Sequence, residues 1–219
     1  MTTFPNSPAV LKGGLVLIDP TTSAVRRVIA LQYNPDTLSR TLQVKATGQD
    51  TPDHSEALRL KGPPTETIKL DAEIDAADQL EFPDQFRGVT EVGIFPALAA
   101  LETIVYPSSG QLLANNALAA AGTLEIVPME SALTLFVWSR NRIVPVRVTD
   151  FSVTEEAFDA ALNPIRAKVS LGMRVLSVDD LGFSHPRGGL FMSYLQQKEQ
   201  FAGRGIAAAL STLGLTGIG

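Results

Sequence analysis

The stretch Ile165–Leu176, Ile-Arg-Ala-Lys-Val-Ser-Leu-Gly-Met-Arg-Val-Leu, alternates apolar residues with polar or small ones over almost its whole length. This period of two is typical of a β-strand with one buried face. Twelve residues at about 3.3 Å each span roughly 40 Å, which is long for a strand of a globular domain. The segment 143–153 is its predicted antiparallel partner. The acidic and Asn-Pro stretch 154–164 is the predicted tip of the resulting long hairpin.

Further strands are predicted on both sides of this hairpin in the sequence. The clearest is 68–76, in which Ile68, Leu70, Ala72 and Ile74 alternate with charged residues. Shorter alternating or apolar runs, bounded by Gly, Pro or Asn turn signals, predict the remaining strands. These runs are Leu15–Ile18, 29–33, 38–46 and Leu133–Trp138, with a turn at 139–142 and an edge or bulge at Pro145.

The spacing of apolar residues changes to a helical period in two regions. Ile94, Leu98, Leu101 and Val105 predict one helix over 93–106, which ends at Tyr106-Pro107. A second helix is predicted from Pro186 to about Phe201, and the stretch 108–130 reads as a long loop with a helical patch. The predicted fold is therefore mainly β (α+β): a barrel or sandwich domain over 1–185, then a C-terminal helix and a Gly/Ala-rich tail over 186–219.

Composition excludes several classes of function. The 219 residues contain no cysteine and two histidines, which excludes disulfides and thiolate chemistry and leaves little for a zinc site. A net charge of −5 argues against a general nucleic-acid binder. Charged residues make up only 19% while hydrophobic ones reach 45%, which indicates a large interface. Without a signal peptide or an 18-residue apolar run, we expect synthesis in the cytoplasm and no direct membrane insertion.

The candidate catalytic, cofactor and metal motifs of the sequence each lack a required feature. The six acids between positions 71 and 84 include Asp71, Glu73 and Asp75, whose strand spacing of about 6.5–7 Å is too wide to surround one cation. Asp53-His54-Ser55 contains the residue types of a hydrolase triad, but consecutive loop residues diverge. The sequence 203–208 matches a loose dinucleotide pattern without the required strand before it. We therefore expect no enzymatic activity and no cofactor.

Residues 152–176 contain Thr-Glu-Glu-Ala-Phe-Asp, then Leu-Asn-Pro-Ile-Arg-Ala and the long alternating strand. In this arrangement the sequence resembles the tube-type proteins of contractile injection systems, which are phage-tail-like particles with a sheath, an inner tube and a baseplate. The segments 31–40, 93–107, 135–138 and 144–148 extend the resemblance over most of 12–178. We expect this chain to be without the C-terminal LysM module that many related baseplate proteins carry.

This resemblance implies a sixfold ring in which strands of neighbouring subunits join into one barrel around a channel. It implies a structural role at the baseplate end, joining the spike or hub protein to the tube and acting as tube initiator. The inner tube protein itself is the alternative. The hairpin tip is the expected subunit interface, and Asp71, Glu73 and Asp75 are expected to face the channel or an adjacent ring. The residues expected at this interface, from the tip and the start of the strand after it, are Phe158, Leu162, Asn163, Pro164 and Arg166.

Two other classes of protein stay open at this point. A carbohydrate- or cell-wall-binding β-sandwich module would carry aromatic rings on an exposed strand face, whereas aromatic residues total only 6% of the chain. An enzyme would need a site made of carboxylates alone.

Overall fold

The computed structural model describes residues 10–19, 22–46, 59–122, 132–183, 188–204, 210–213 and 216. Their strands form one seven-stranded antiparallel sheet in the order β2-β1-β5-β6-β7-β4-β3. The strands are β1 (Gly14–Ile18), β2 (Val25–Ala30), β3 (Leu38–Gln43), β4 (Thr65–Asp75), β5 (Leu133–Ser139), β6 (Arg142–Phe158) and β7 (Pro164–Val175).

Six α-helices and one 3-10 helix, Leu210–Leu213, accompany the sheet in the part of the chain that the structure describes. The α-helices are α1 (Ala77–Leu80), α2 (Arg87–Val92), α3 (Phe95–Glu102), α4 (Ser109–Ala120), α5 (Val178–Leu181) and α6 (Gly188–Gly203). The predicted central and C-terminal helices correspond to α3 and α6. The helical patch expected within 108–130 is α4, which begins at a capping box formed by Ser108 and Gln111.

The mainly β, α+β fold is therefore confirmed. Closure of this sheet into a barrel is not shown. Among the described residues, the outermost strands β2 and β3 each pair on one side only. The triad-like sequence 53–55, the second histidine at 185 and most of 203–208 lie outside the described residues.

The two longest strands, β6 and β7, form the predicted hairpin, but the hairpin is longer than the sequence indicated. Its register runs from Val146 opposite Val175 to Phe158 opposite Pro164. The interpretation of 154–164 as the tip was wrong, since β6 continues through Phe158 and the tip spans 159–163. Bulges between Glu155 and Phe158 shift the register there. They destroy the alternation by which a strand is recognised in the sequence.

The hydrophobic core lies between one face of the sheet and the helices. On β4 and β7 every second side chain is buried, as the alternation predicts. Helix α3 contributes Leu98 and Leu101 to this core, and α6 contributes Phe191 and Tyr194. The opposite face of the sheet is exposed and polar over β3, β4, β6 and β7, as is common in antiparallel sheets.

Candidate assembly surface at the long hairpin

The C-terminal part of β6 has a free backbone edge. Strand β5 pairs with β6 only between Arg142 and Val146. From Val148 to Phe158, the described residues pair β6 with β7 on one side and with no strand on the other. An unpaired strand edge of this length presents a row of N–H and C=O groups to any second strand. The hairpin therefore offers a template for pairing with another chain.

Asp159 builds the tip of the hairpin. Its Oδ1 accepts hydrogen bonds of 2.8 Å from the backbone N–H groups of Ala161 and Asn163, and its Oδ2 accepts one of 2.8 Å from the Asn163 side chain. The hydrogen bonds from Asn163 lower the pKa of Asp159. The chain reversal therefore depends on Asp159 as well as on the Asn-Pro pair of the predicted tip. Asp159 was missed because an Asp beside two bulges has no distinctive spacing.

Leu162 adopts a left-handed backbone with φ 65°, although it is not a glycine. This conformation costs an ordinary side chain roughly 1–2 kcal/mol. Its side chain is 76% exposed, and the nearby Phe158 is 48% exposed, so neither fills the core of its own chain. A strained position occupied by an exposed leucine indicates a role outside the folded subunit. The predicted interface role of these two residues stays a prediction that this geometry favours.

Asn163 and Pro164 are held within the chain. The Asn163 Nδ2 donates to the Glu91 carbonyl at 3.1 Å, and the Pro164 carbonyl accepts from the Ile94 N–H at 2.8 Å. Pro164 is fully buried. Gly93 is required here because a Cβ at that position would lie 2.2 Å from the Pro164 carbonyl oxygen. These two residues join the tip to α2 and α3, so in the subunit they support the tip and do not form its exposed surface.

Arg166 also has a partner in its own chain. Its Nε donates to the Asp75 carboxylate at 2.7 Å, because Asp75 and Arg166 are opposite each other in the β4–β7 register. Arg166 was expected to lie at the subunit interface. The structure pairs it across the strand, although about half of the side chain remains exposed.

The acidic side chains of β4, Asp71, Glu73 and Asp75, each lie opposite a polar or basic side chain of β7. Asp71 accepts a hydrogen bond from Ser170 at 2.5 Å, and Glu73 lies 3.8 Å from Lys168, which also approaches Glu156 at 3.5 Å. No group of three or more potential ligands among the described residues is arranged to hold a metal ion. The expected position of these acidic side chains at the channel or an adjacent ring stays a prediction.

The exposed face of the sheet also bears on the carbohydrate-binding interpretation. In the described parts of β3, β4, β6 and β7, this face is mostly polar and carries no aromatic ring on which a sugar could stack. The exposed aromatic side chains lie in helices, loops and the hairpin tip.

A buried carboxylate, Glu66, fastens helix α6 to the sheet. It accepts hydrogen bonds from Arg40 Nε at 2.8 Å, Tyr194 OH at 2.9 Å and Lys198 Nζ at 2.9 Å. Its side chain is only 4% exposed. Burial alone would raise the pKa of Glu66, but the hydrogen bond and charge of Lys198, with Tyr194 and Arg40, outweigh burial and lower that pKa. Burial, together with the neighbouring carboxylate, raises the pKa of Tyr194.

This cluster was missed in the sequence, although a signal was present. Glu66 lies two and four residues before the buried Ile68 and Leu70, so the alternation of the strand puts an acidic side chain on the core face. Its partners come from β3 and α6, as far as 132 positions away in the chain.

Comparisons with known proteins do not assign a family. The sequence matches no family model and no curated protein. One solved structure that matches is described as the tail of an empty GTA particle with C6 symmetry. The two chains are 13% identical with a TM-score of 0.29, over 74% of this chain and 90% of that one. No helix in the described residues is long and apolar enough to cross a membrane.

Proposed function

We propose that this protein is a ring-forming structural subunit of a contractile injection particle. The observation that carries the proposal is the free edge of β6 from Val148 to Phe158. The sequence resemblance of 152–176 to tube-type proteins supports it, as do the strained, exposed leucine at the tip and the low content of charged residues. Closing the edges between copies would remove an aggregation hazard that a single subunit carries.

The strand directions are compatible with such a ring. Strands β3, β4, β7 and β6 are neighbours and alternate in direction. Because this unit has four strands, placing the free edge of β3 beside the free edge of β6 in the next copy keeps the sheet antiparallel throughout. The contact joins two different surfaces, and such a heterologous contact produces a ring when its rotation closes. The sixfold count is taken from the sequence resemblance.

Within the particle, we propose that the ring lies at the baseplate, between the spike or hub protein and the tube. There it would act as a tube initiator, and baseplate components would be further partners. It would be made in the cytoplasm and would have no enzymatic activity. The inner tube itself is the alternative location, because an inner-tube subunit would need the same ring-forming edges.

Introduced cysteines test the ring contact cleanly, since the chain has none of its own. Ser39 or Thr41 on β3 and Ser152 or Thr154 on β6 all project from the exposed face of the sheet. We expect at least one variant with a cysteine on each strand to form, on oxidation, a covalent ladder of up to six subunits on a non-reducing gel.

The matched control is the Val28→Cys/Ser152→Cys variant, which places one cysteine on β2 and one on β6. Strand β2 is also an edge, but it lies on the same side of the sheet as the free edge of β6. Ladders that form equally with the β2 control, or subunits that remain monomeric by mass photometry at micromolar concentration, would contradict the proposed ring.

Imaging of native particles tests the layer. The particles would be isolated from the source cells through a tag on this chain and examined by negative-stain electron microscopy. Label at one end of sheathed rods is expected for the baseplate location, and label along the whole rod would show the tube protein. Tagged material without rods, from cells that make rods, would contradict both.

A further inference from the structure

A groove of about 560 Å³ opens on the surface between α2, α3 and the C-terminal end of β4. Its lining includes the apolar side chains of Ile74, Phe86, Val89 and Ala97, with Asp84 among the polar ones. Ile74 belongs to the buried core, whereas Phe86 is 39% exposed. The groove therefore has an apolar floor provided by the sheet and an apolar wall that can still be buried when a ligand binds.

Two backbone hydrogen bonds fix the walls of this groove to the sheet. The Ala76 N–H before α1 donates to the Ile165 carbonyl at 3.0 Å, and the Ile94 N–H before α3 donates to the Pro164 carbonyl at 2.8 Å. The segment 77–92, which contains α1 and α2, thus leaves and rejoins the sheet at neighbouring residues of β7. A groove anchored in this way exists before a ligand arrives, which lowers the cost of ordering it on binding.

Exposed apolar side chains continue beyond the groove. The Phe86 N–H donates to the Phe82 carbonyl at 3.2 Å, which places these two residues one helical turn apart. Phe82, Val92 and Phe95 are each 40–51% exposed. Among the described residues that line the groove, none belongs to β3 or β6, so the ring contact proposed above does not use it. A contiguous exposed apolar surface is typical of a docking site.

The charge beside the groove is acidic. The segment 77–92 contains four carboxylates and one base, Arg87. In the part of the chain that the structure describes, none of the four has an ion-pair partner. A partner with lysine or arginine is therefore attracted to this surface, whereas an acidic partner is repelled. The four acids are Asp78, Glu81, Asp84 and Glu91.

From these observations we infer that the groove binds a peptide segment of another protein, in which an apolar side chain is flanked by lysine or arginine. The apolar side chain would pack against Ile74 and Phe86. The flanking cations would pair with carboxylates such as Glu81 and Asp84, and a cation over the Phe82 ring would add to the attraction. Because the apolar surface extends past the groove, an extended segment fits it better than a small enclosed molecule does. Binding in the groove is independent of the proposed ring.

Gly88 provides a way to fill the groove with little change to the fold. It lines the groove, and apart from its own helix a Cβ at this position would meet no atom within 4 Å. The Gly88→Phe variant is therefore expected to fold and to block the groove. Gly110→Phe is the matched control, because Gly110 is also the second residue of a helix and has equally open space around it.

Binding is measured on the full-length purified protein with an array of synthetic peptides of about twelve residues. Each peptide has Leu, Met or Phe at its centre and Lys or Arg on both sides, and a second array has Asp or Glu in place of the bases. Fluorescence anisotropy then gives the Kd of the strongest peptides. We expect acidic peptides to bind about tenfold more weakly or less, because like charges repel across an interface. A peptide of lysine alone should also bind about tenfold more weakly, because it lacks the apolar anchor.

For the strongest basic peptide, Gly88→Phe and Glu81→Lys/Asp84→Lys should each weaken binding about tenfold or more, as the loss of a central contact does. Gly110→Phe and Asp36→Lys/Glu199→Lys should bind like the wild type, and the second of these also reverses two exposed acids. Circular dichroism checks the fold of each variant.

No binder in either array, equal binding of acidic or lysine-only peptides, or full binding by the folded Gly88→Phe variant would overturn the inference. If Gly88→Phe does not fold, undiminished binding by Glu81→Lys/Asp84→Lys would overturn it in the same way. Ring formation is measured separately with the introduced cysteines, so a failure of the groove and a failure of the ring give different results.

Discussion

Replacing Phe158 and Leu162 together by aspartate should leave a folded monomer that no longer enters rings or particles. Both side chains are largely exposed, so the subunit loses no core contact. In the proposed ring they are buried against a neighbour. Burial of one such side chain contributes about 1.5–3 kcal/mol, so losing two should weaken assembly by a hundredfold or more. Mass photometry measures assembly, and circular dichroism with thermal unfolding measures the fold.

The Leu162→Gly variant distinguishes the stability of the folded subunit from its ability to assemble. Glycine tolerates the φ of 65° that leucine adopts at a cost, so the monomer should be as stable as wild type or more stable. Ring formation should nevertheless decrease, because the side chain is lost. Leu60→Asp introduces a charge at a comparably exposed leucine away from the tip and should assemble normally. Normal particles built from the Phe158→Asp/Leu162→Asp variant would refute the interface.

Glu66→Ala should be strongly destabilising, at about 3 kcal/mol of unfolding free energy, the lower end of the range for a broken buried ion pair, because Arg40 and Lys198 are partly exposed. It leaves the charges of Arg40 and Lys198 beside the core without their carboxylate, and removing one member of a buried ion pair typically costs this much. The loss should concentrate at α6, and hydrogen exchange of the α6 amides would show it. Chemical denaturation gives the magnitude.

Two further variants test whether the loss of stability comes from the unpaired charges. Glu66→Gln keeps the shape and the Tyr194 hydrogen bond, so it should cost less than Glu66→Ala. Glu66→Leu with Lys198→Met removes both charges and should recover part of the loss, because apolar groups often replace buried ion pairs well. If Glu66→Ala unfolds at the same denaturant concentration as wild type, the cluster does not hold α6.

The same cluster predicts how stability depends on pH. The pKa of Glu66 is lower in the folded chain than in the unfolded chain, so the folded state favours the ionised form. Its contribution is therefore fully present above the unfolded value, near pH 4.5, and is lost as the pH falls through the lower folded value. Between pH 5 and pH 3 the wild type should lose more stability than Glu66→Gln does.

Much of the fold was predictable because β4 and β7 alternate strictly. What was missed depends on contacts between distant residues. The pairing of Arg166 with Asp75 requires the β4–β7 register, which joins positions 91 residues apart. The C-terminal end of β6 could not be recognised because bulges interrupt its alternation of buried and exposed residues. Helix α4 was ambiguous because its many small residues give no clear helical period of apolar side chains. The interface role expected of the hairpin-tip residues stays a prediction, since Phe158 and Leu162 are exposed whereas Pro164 is buried within its own subunit.

The length of the hairpin has a mechanical consequence. Eleven register positions join β6 to β7, and the longest run without a bulge is the six positions from Asp150 opposite Gly172 to Glu155 opposite Ala167. A force applied along the strands loads these hydrogen bonds in shear and shares the load among them, whereas a force across the strands would open them one after another. If the strands of the subunit lie near the axis along which a contracting particle would drive its tube, the subunit would therefore transmit a sudden axial force without separation of β6 from β7.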